Sequence, residues 1–390
     1  MNAIRHETNG APPASLRIEM VLPSLAMGGM EMMARDLALG LAARRHRVGI
    51  TCLEEEGELA VALRASDVSV SLVGCPGIRP NFFPDAKLRA HVAARGCHVV
   101  HAHNAVWAKA ALASCSVRVP AKVSTLHGFA YGEGWQSELL RWWGALHSDV
   151  VVAVSAPLRS HLVQRTRIPA SKVTVLANGI DTARFAPGHR SGTIHARFGI
   201  APGSPLVGCV ARLDPIKNHA LLLASLKLVL LSLPQTRLVL AGEGPLRQEL
   251  EALVAEMGLS QSVIFAGAIA DTAPLYRDLD IFVLPSLSEG TSISVMEAMA
   301  SGVPVVATAV GGTPDLLAGG ACGMLVPSGD AAAMASAVMH LLLDSELRSQ
   351  LAAKGREQVT LNFSQLAMVI GYEELYHSIL RKKHERSSAR

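Results

Sequence analysis

Two glutamates, Glu289 and Glu297, stand eight positions apart in the stretch SEGTSISVMEAMASG. Between them, the small residues Gly290, Thr291 and Ser292 favour the start of a helix, where backbone N–H groups have no helical partner. Such a helix start suits a phosphate, because unpaired N–H groups and the helix dipole both attract an anion. Eight helical residues turn by about 800°, so the two carboxylates would not stack. We therefore expect each carboxylate to meet different hydroxyl groups of one ligand.

Two cations stand in the earlier stretch VARLDPIKNH, at Arg212 and Lys217. Arg212 ends an apolar strand pattern, and Lys217 lies in the following loop, just before a helix pattern. Two fixed cations at the mouth of a parallel sheet suit a diphosphate, which they could bind and whose charge they could stabilise. The alternative interpretation is a pair of solvated surface charges.

Glycines mark two further turns between a strand and a helix. Gly28 and Gly29 follow the first strand, and without Cβ atoms their backbone could approach an anion closely. Gly242 and Gly244 follow a later strand, but Arg247 occupies the position of the third glycine of a dinucleotide fingerprint. That fingerprint therefore fails, and the second turn either walls a nucleotide pocket or is purely structural.

Two sets of residues could suggest a metal site. His101 and His103 alternate on a predicted strand and would point to one face, but no Cys, Asp or Glu nearby completes a ligand set. Asp278 and Asp280 form an Asp-x-Asp sequence that precedes a strand, at the edge of the sheet away from a ligand. We therefore predict no metal, and interpret the histidines as structural or as lining a cleft.

Short apolar segments alternate with helical patterns along the chain, which predicts an α/β fold with parallel sheets covered on both faces. The Gly- and Pro-containing stretch Phe185–Gly203 interrupts this alternation and predicts a linker between two doubly wound domains. Ligands bind at the carboxyl ends of such strands, so we expect the site in the cleft between the domains. The predicted parts are a flexible tail over residues 1–15, domains over 16–190 and 191–362, and a final helix over 363–390.

The composition excludes several classes of protein. The 390 residues carry a net charge of +4 and only 4% aromatic side chains, which argues against a nucleic-acid partner. The six cysteines form no CxxC pair, as expected for free thiols in a reducing cytoplasm. The first 15 residues lack the apolar core of a signal peptide, and the apolar stretches are too short to span a bilayer. We therefore expect a soluble cytoplasmic protein.

Peripheral contact with a membrane is a separate question. Residues 79–95 mix basic and apolar side chains, and Trp142–Trp143 follow later in the same predicted domain. Such segments could contact an anionic lipid surface at the inner face of the cytoplasmic membrane. A plain surface helix is the simpler interpretation of residues 79–95.

Seven motifs occur in a fixed order between about residues 17 and 376. Together they resemble the retaining GT-B glycosyltransferases of family 4, whose signature is E-x7-E. The motifs are VVHAHN (99–104), TLHG (125–128), VAVS (152–155), LANGID (176–181), VARLDPIKNH (210–219), AGEGP (241–245) and the stretch from Glu289 to Glu297.

The resemblance implies a fold and an activity. The fold would be GT-B, with two doubly wound Rossmann-like domains facing each other and the final helix packing back on the first domain. The enzyme would be a retaining hexosyltransferase that moves a sugar from a nucleotide-diphosphate sugar, UDP-linked rather than GDP-linked, to an acceptor hydroxyl. The acceptor would be a saccharide or lipid-linked saccharide, in bacterial polysaccharide, lipopolysaccharide or glycolipid assembly. The family requires neither a cofactor nor a metal.

The resemblance also implies residue roles. Arg212 and Lys217 would bind the diphosphate and stabilise its charge as it leaves. Glu297 would hold the ribose diol, Glu289 the hydroxyls of the donor sugar, and His127 would reach that sugar or the reaction centre. Further donor-binding candidates are Gly28, Gly29, Gly242, Gly290, Thr291 and Ser292, and the acceptor-side candidates are His103 and Asn178.

Other functions stay open at this point. A nucleotide-sugar epimerase can share the architecture, and a non-catalytic sugar-binding protein could keep the fold. A nicotinamide oxidoreductase would need the glycine fingerprint that fails here. The sequence does not distinguish the sugar, the base, the acceptor or the oligomeric state, nor transfer on a single face from a covalent intermediate.

Overall fold

A computed structural model describes residues 14–75, 84–128 and 135–388 of the chain. The predicted tail over residues 1–15 and the basic and apolar segment 79–95 therefore lie partly outside the described residues. Contacts divide the chain into two compact units. The first unit contains the residues up to Asn178 together with those from Gln365 onward, and the second unit is Gly179–Ser364.

The described part of the first unit contains a seven-stranded, entirely parallel sheet in the order β3-β2-β1-β4-β5-β6-β7. Its strands are β1 Arg17–Leu22, β2 Arg47–Cys52, β3 Ser69–Leu72, β4 Val99–His103, β5 Ala121–Leu126, β6 Val150–Ala153 and β7 Val173–Val175. Its first six helices are α1 Gly29–Ala43, α2 Leu59–Arg64, α3 Ala86–Arg95, α4 Trp107–Ser116, α5 Trp135–His147 and α6 Ala156–Gln164.

The second unit contains a six-stranded parallel sheet in the order β10-β9-β8-β11-β12-β13. Its strands are β8 Leu206–Val210, β9 Arg237–Ala241, β10 Val263–Gly267, β11 Ile281–Leu284, β12 Val305–Thr308 and β13 Met324–Val326. Its helices are α7 Thr193–Phe198, α8 His219–Ser232, α9 Arg247–Glu256, α10 Ala273–Asp278, α11 Ile293–Ala300, α12 Thr313–Leu316, α13 Ala331–Leu343 and α14 Ser345–Asn362.

Both sheets form because their central strands are apolar on both faces. In β11, for example, all four residues of Ile281–Leu284 are buried, as a parallel strand covered by helices on each side requires. In each sheet the strand order reverses beside the first strand, between β1 and β4 and between β8 and β11. Loops that leave the sheet at such a point diverge and open a crevice, so the topology favours a ligand site there.

The last helix, α15 Gln365–Ser388, belongs to the first unit. Its Glu373 accepts hydrogen bonds from Arg44 at 2.7 Å and pairs with His46 at 2.9 Å. Its Lys383 donates to Asp149 at 2.6 Å. These contacts, together with two buried tyrosines described below, fix α15 against the sheet. Among the helices of the described residues, none combines the length and hydropathy that crossing a membrane requires.

The division between the units lies at Asn178–Gly179, whereas the linker pattern predicts a boundary near residue 190. Ile180 N–H donates to the Phe363 carbonyl at 2.9 Å, and Ile180 also bridges Ser364. The start of the second unit is thereby tied to its end. The predicted linker also contains α7, whose N-terminus donates backbone N–H groups to the buried Asp278.

Candidate functional site

The reversal of strand order in the second unit brings two loops together. Strands β8 and β11 are neighbours although about 70 residues separate them in the chain. The loop after β8 carries Arg212 and Lys217, and the loop after β11 carries Glu289. A hydrogen bond from Leu287 N–H to the Ile216 carbonyl, 2.8 Å long, joins the two loops directly. The predicted cationic and acidic residues therefore meet at one edge of this sheet.

Lys217 and Glu289 form a short ion pair at this edge. Lys217 Nζ donates to Glu289 Oε1 at 2.6 Å, and Ser286 Oγ donates to the same oxygen at 2.6 Å. The side chain of Glu289 is only 8% exposed and that of Lys217 only 21%. Because partial burial weakens solvent screening, this contact is stronger than an ordinary surface pair. The sequence predicted both residues in the site but not their direct contact.

Arg212 differs from Lys217 in its surroundings. Its side chain is 70% exposed, and its Nε lies 4.0 Å from Asp214 Oδ2, beyond hydrogen-bond distance. The carboxylate of Asp214 instead accepts from the backbone N–H of Lys217 at 3.3 Å and shapes the turn. Asn218 then takes a left-handed conformation with φ of 50° before α8 begins. Arg212 is thus placed beside the ion pair with its guanidinium facing solvent.

Glu297 lies in α11 and is buried, with 9% of its surface exposed. Tyr276 from α10 donates its hydroxyl hydrogen to Glu297 Oε2 at 2.9 Å. Burial, together with the neighbouring carboxylate, raises the pKa of Tyr276 well above its usual value, so the phenol stays a donor. The predicted carboxylate is therefore held in a defined orientation by a neutral partner, rather than lying on a solvated helix face.

The start of α11 is built as the sequence predicts. Ser292 is the residue before the first helical turn, and its Oγ accepts from Val295 N–H at 3.4 Å. Gly290, Thr291 and Ser292 are all buried. The N-terminus of a helix, with its positive dipole end, therefore lies directly after the Glu289 loop.

Gly311 is a site residue that the sequence interpretation missed. Its φ is +53°, and a Cβ placed on it would lie 1.7 Å from the Glu289 carbonyl oxygen. The next residue, Gly312, donates its N–H to that same oxygen at 3.3 Å. The loop after β12 therefore supports the backbone of Glu289. The Gly-Gly pair after an apolar strand was the available signal.

Gly242 and Gly244 have a packing role in this structure. A Cβ on Gly242, whose φ is +143°, would lie 2.1 Å from the Ala211 carbonyl oxygen. A Cβ on Gly244 would lie 2.4 Å from the Leu213 carbonyl oxygen. Gly242 N–H also donates to the Gly267 carbonyl at 2.8 Å, so this N–H group already has an acceptor within the protein. The turn after β9 thus presses against the loop that carries Arg212.

In the first unit, Gly28 precedes α1 in an extended conformation, with φ of −158°. A Cβ on Gly28 would lie 2.3 Å from Glu31 Oε2, so the Glu31 carboxyl folds over this helix start. Burial raises the pKa of Glu31, although a backbone hydrogen bond opposes the shift. The predicted N–H groups of Gly28 and Gly29 are therefore faced by an acidic side chain, which a bound phosphate would have to displace.

Three histidines lie close together toward the carboxyl ends of the strands of the first sheet. His101 is held on both sides: its Nε2 lies 2.7 Å from Thr125 Oγ1, and its Nδ1 lies 2.8 Å from the hydroxyl of Tyr376. A second tyrosine of α15, Tyr372, reaches the same Thr125 hydroxyl at 3.1 Å. Desolvation lowers the pKa of His101 to about 3, so it is neutral near pH 7. This histidine is structural, as the sequence interpretation allowed.

The other two histidines bond to each other. His103 Nδ1 lies 2.8 Å from His127 Nε2, and the two ring planes are inclined by only 18°. Asn104 Oδ1 accepts from the backbone N–H of His127 at 2.9 Å. Asn178 Oδ1 is buried and lacks a partner within hydrogen-bond distance among the described residues. The structure thus brings His103, His127 and Asn178 to one edge of the sheet.

One set of three residues among those described has metal-like spacing: His46, Glu373 and His377. His46 Nδ1 accepts from Leu16 N–H at 3.0 Å, so its proton must be on Nε2, which donates to Glu373 at 2.9 Å. A metal would need the lone pair of that nitrogen, and Arg44 already pairs with the other carboxylate oxygen at 2.6 Å. Glu373, bonded to His46 and Arg44, instead forms a clamp that holds α15.

Comparison with known proteins places both units. Residues 27–184 match the family model described as Glycosyltransferase Family 4, and residues 191–358 match Glycosyl transferases group 1. The lipopolysaccharide core biosynthesis mannosyltransferase LpsB of Rhizobium meliloti is 30% identical over 83% of this chain and 93% of its own length. A GDP-mannose-dependent phosphatidylinositol monomannoside mannosyltransferase of Mycolicibacterium smegmatis is 32% identical over 54% of this chain and 57% of its length.

Solved structures give the same fold. Anabaena Alr3699/HepE in complex with UDP superposes with a TM-score of 0.81 at 21% identity, over 93% of this chain and 99% of that one. WaaG, a glycosyltransferase involved in lipopolysaccharide biosynthesis, superposes with a TM-score of 0.71 at 19% identity over the same shares. The two Rossmann-like units therefore have the GT-B fold that the motifs predicted.

Proposed function

Because the chain belongs to the group 1, family 4 glycosyltransferases, we propose that it moves a sugar from a nucleotide-diphosphate sugar to an acceptor hydroxyl, with retention at the anomeric carbon. The observation that carries this proposal is the Lys217–Glu289 pair, 2.6 Å long, beside the exposed Arg212 and the start of α11. Two cations, a helix N-terminus and a carboxylate at one sheet edge fit a sugar diphosphate.

The two cations have different tasks in this proposal. Arg212 faces solvent, and it can close on the diphosphate by giving up only a long 4.0 Å contact with Asp214. Lys217 is shared with Glu289, so its Nζ, which has three N–H donors, would bridge that carboxylate and the phosphate. Glu289, held by Lys217 and Ser286, would direct its carboxylate toward hydroxyls of the donor sugar. Glu297, oriented by Tyr276, would hold the ribose diol.

The chemical step uses this charge arrangement. The bond between the anomeric carbon and the diphosphate oxygen breaks, and its electron pair stays on the diphosphate. The acceptor oxygen bonds to the same face of the carbon, and its proton passes to the leaving phosphate. Arg212 and Lys217 stabilise the charge that grows on the diphosphate, which is typically a large term in catalysis.

The relatives suggest the setting and the donor classes to be tested. LpsB acts in lipopolysaccharide core biosynthesis, the mycobacterial relatives depend on GDP-mannose, and Alr3699/HepE was solved with UDP. We therefore propose a role in lipopolysaccharide or glycolipid assembly, with a saccharide or lipid-linked saccharide acceptor. A UDP-sugar is the first donor to test and GDP-mannose the second.

Peripheral membrane contact is part of the proposal, through α5. Trp135, Leu139 and Leu146 are 73%, 40% and 40% exposed, and the half-buried Trp142 lies at the same helical spacing. Such an apolar stripe suits the interface of an anionic bilayer. Replacing Trp135 and Leu139 with serine should reduce co-flotation with anionic vesicles. Equal flotation of the variant and the unaltered protein would contradict this contact.

A thermal-shift panel of UDP-, GDP-, ADP- and TDP-sugars tests the donor. A ligand at 100 times its dissociation constant adds about 2.7 kcal/mol to the free energy of unfolding, which gives a clear shift. NMR of the stabilising donor with and without saccharide acceptors then identifies the reaction and the configuration of its product. An altered donor without acceptor would indicate an epimerase, binding without turnover a non-catalytic protein, and an inverted product would contradict retention.

A further inference from the structure

The hydrogen bond between His103 and His127 has a consequence for the two outer ring nitrogens. The bond joins His103 Nδ1 to His127 Nε2, and the remaining atoms, His103 Nε2 and His127 Nδ1, have no hydrogen-bond partner among the described residues. Both outer nitrogens are shielded from solvent, although the His127 ring as a whole is only half-buried. Buried polar atoms without partners are rare and point to a missing ligand.

The number of ring hydrogens determines which hydrogen bonds the His103–His127 pair can make. Desolvation lowers the pKa of both rings, that of His127 to about 3, so each is neutral near pH 7 and carries one N–H. One of the two protons lies in the shared hydrogen bond, whichever ring donates it. The two outer nitrogens are therefore always one donor and one acceptor. Hydroxyl groups, each of which can donate or accept a hydrogen bond, are suitable partners for these two nitrogens.

The shared bond couples the tautomers of the two rings. If His103 Nδ1–H donates, His127 Nε2 accepts, so His127 carries its hydrogen on Nδ1. If His127 Nε2–H donates instead, His103 Nδ1 accepts, so His103 carries its hydrogen on Nε2. Both rings therefore have the same tautomer. His101, locked between Thr125 and Tyr376, packs against His103 at a ring distance of 4.1 Å and limits its rotation.

We propose that His103 is a positioning residue for His127. Its Nδ1 bonds to His127 Nε2, holds the His127 ring and couples the tautomers of the two rings. The two outer ring nitrogens then form a donor and acceptor pair for hydroxyl groups of the sugar substrates. The inference rests on the proposed function for the class of ligand, but the tautomer itself does not depend on turnover.

The first test needs no variant. Long-range 1H–15N correlation NMR of protein labelled with 15N-histidine reports which ring nitrogen of each histidine carries hydrogen. We expect both rings to be neutral at pH 7 and to have the same tautomer, either both with hydrogen on Nδ1 or both with hydrogen on Nε2. Different tautomers in the two rings, or a ring protonated on both nitrogens, would overturn the proposal. This result holds whether or not the protein transfers sugar, so failure of the proposed function is seen separately, as absence of turnover with every donor.

Two matched variants separate positioning from packing. The side-chain amide of Asn can replace His103 Nδ1 as a donor or an acceptor, whereas Gln places its amide near the position of Nε2 and loses that contact. We expect His103→Gln to lower kcat roughly 10- to 100-fold, as is typical for loss of an orienting partner, and to change the 15N chemical shifts of the His127 ring. His103→Asn should keep the tautomer, lower kcat less, and raise KM for the substrate whose hydroxyl meets Nε2.

The His127→Asn background supplies the control. There the shared bond is already lost, so adding His103→Gln should lower kcat little further. Losses in kcat that multiply in the double variant would show that His103 supports only local packing and would overturn the proposal, as would unchanged 15N chemical shifts of the His127 ring in His103→Gln.

Discussion

At the residue scale, the site combines side chains that the sequence could name with contacts that it could not. The types and spacing of Arg212, Lys217, Glu289 and Glu297 predicted an anion site with flanking carboxylates. The 2.6 Å contact between Lys217 and Glu289 depends on the pairing of β8 with β11, a long-range feature with no local sequence signal. Gly311 belongs to a Gly-Gly pair that marks a turn, but its contact with Glu289, 22 positions away, has no local signal.

Substitution of Arg212 should lower the activity of the enzyme without lowering its stability. Its side chain is 70% exposed and makes no close ion pair with Asp214, so Arg212→Ala should leave the thermal unfolding midpoint nearly unchanged. Loss of one charge-stabilising donor should nevertheless lower kcat about 100-fold. Steady-state kinetics with the identified donor and a melting curve check both parts. A variant that unfolds earlier and keeps its kcat would mean that Arg212 has a structural role instead.

Substitution of Gly311 should, in contrast, lower the stability of the protein. Gly311→Ala would place a Cβ 1.7 Å from the Glu289 carbonyl oxygen, at a φ of +53°. Gly258→Ala is the matched control, because φ is +73° there but no atom of the described residues lies within 4 Å of the new Cβ. Left-handed alanine alone costs about 1 to 2 kcal/mol, so the control should lose about that much free energy of unfolding. Gly311→Ala should lose clearly more, and bind the donor more weakly; equal losses in the two variants would refute the crowding.

At the element scale, strong periodicity predicted most of the structure. The alternation of short apolar segments with helical patterns predicted the strands. Ile281–Leu284 is an uninterrupted apolar run, whereas Arg17–Leu22 and Ala121–Leu126 also contain charged or hydroxyl side chains. The helix α14, Ser345–Asn362, was missed although Asp344 caps it. Its buried residues are few, so its apolar pattern is too sparse to stand out from a polar connection.

The α15 clamp gives a prediction of pH dependence. Burial raises the pKa of Glu373, but the hydrogen bonds and charges of Arg44 and His46 outweigh it, and the net shift is downward. A carboxyl with a lowered folded-state pKa contributes stability above its unfolded pKa, and loses that contribution as pH falls through the folded-state pKa. Glu373→Gln should therefore lower the free energy of unfolding by roughly 1 to 3 kcal/mol at pH 7, and by much less near pH 3. The unfolding midpoint should fall accordingly.

The adjacent Glu374 is exposed and supplies the control for this prediction. Glu374→Gln should change the unfolding midpoint little at either pH. Melting curves of the three proteins at both pH values make the comparison. A Glu373→Gln deficit that stays constant down to pH 3 would show that the clamp acts through packing and not through charge.

At the scale of the whole molecule, composition and element order predicted the architecture, and the motifs predicted the family. Alternation of strands and helices requires only local patterns, so two parallel sheets were predictable from sequence. The identity of the sugar, base and acceptor depends on side chains brought together by the fold, so the motifs do not encode it. A relative that depends on GDP-mannose and the neighbour Alr3699/HepE, solved with UDP, share this fold but not the nucleotide.

The most direct test of the central claim is the kcat of Lys217→Ala with the nucleotide sugar that stabilises the protein. The exposed lysine Lys227 on α8 supplies the matched control variant, Lys227→Ala. If Lys217 stabilises the leaving diphosphate, its loss should lower kcat about 100-fold or more, while the control keeps the unaltered rate. A Lys217→Ala enzyme that turns over its natural donor as fast as the Lys227→Ala control would contradict the account.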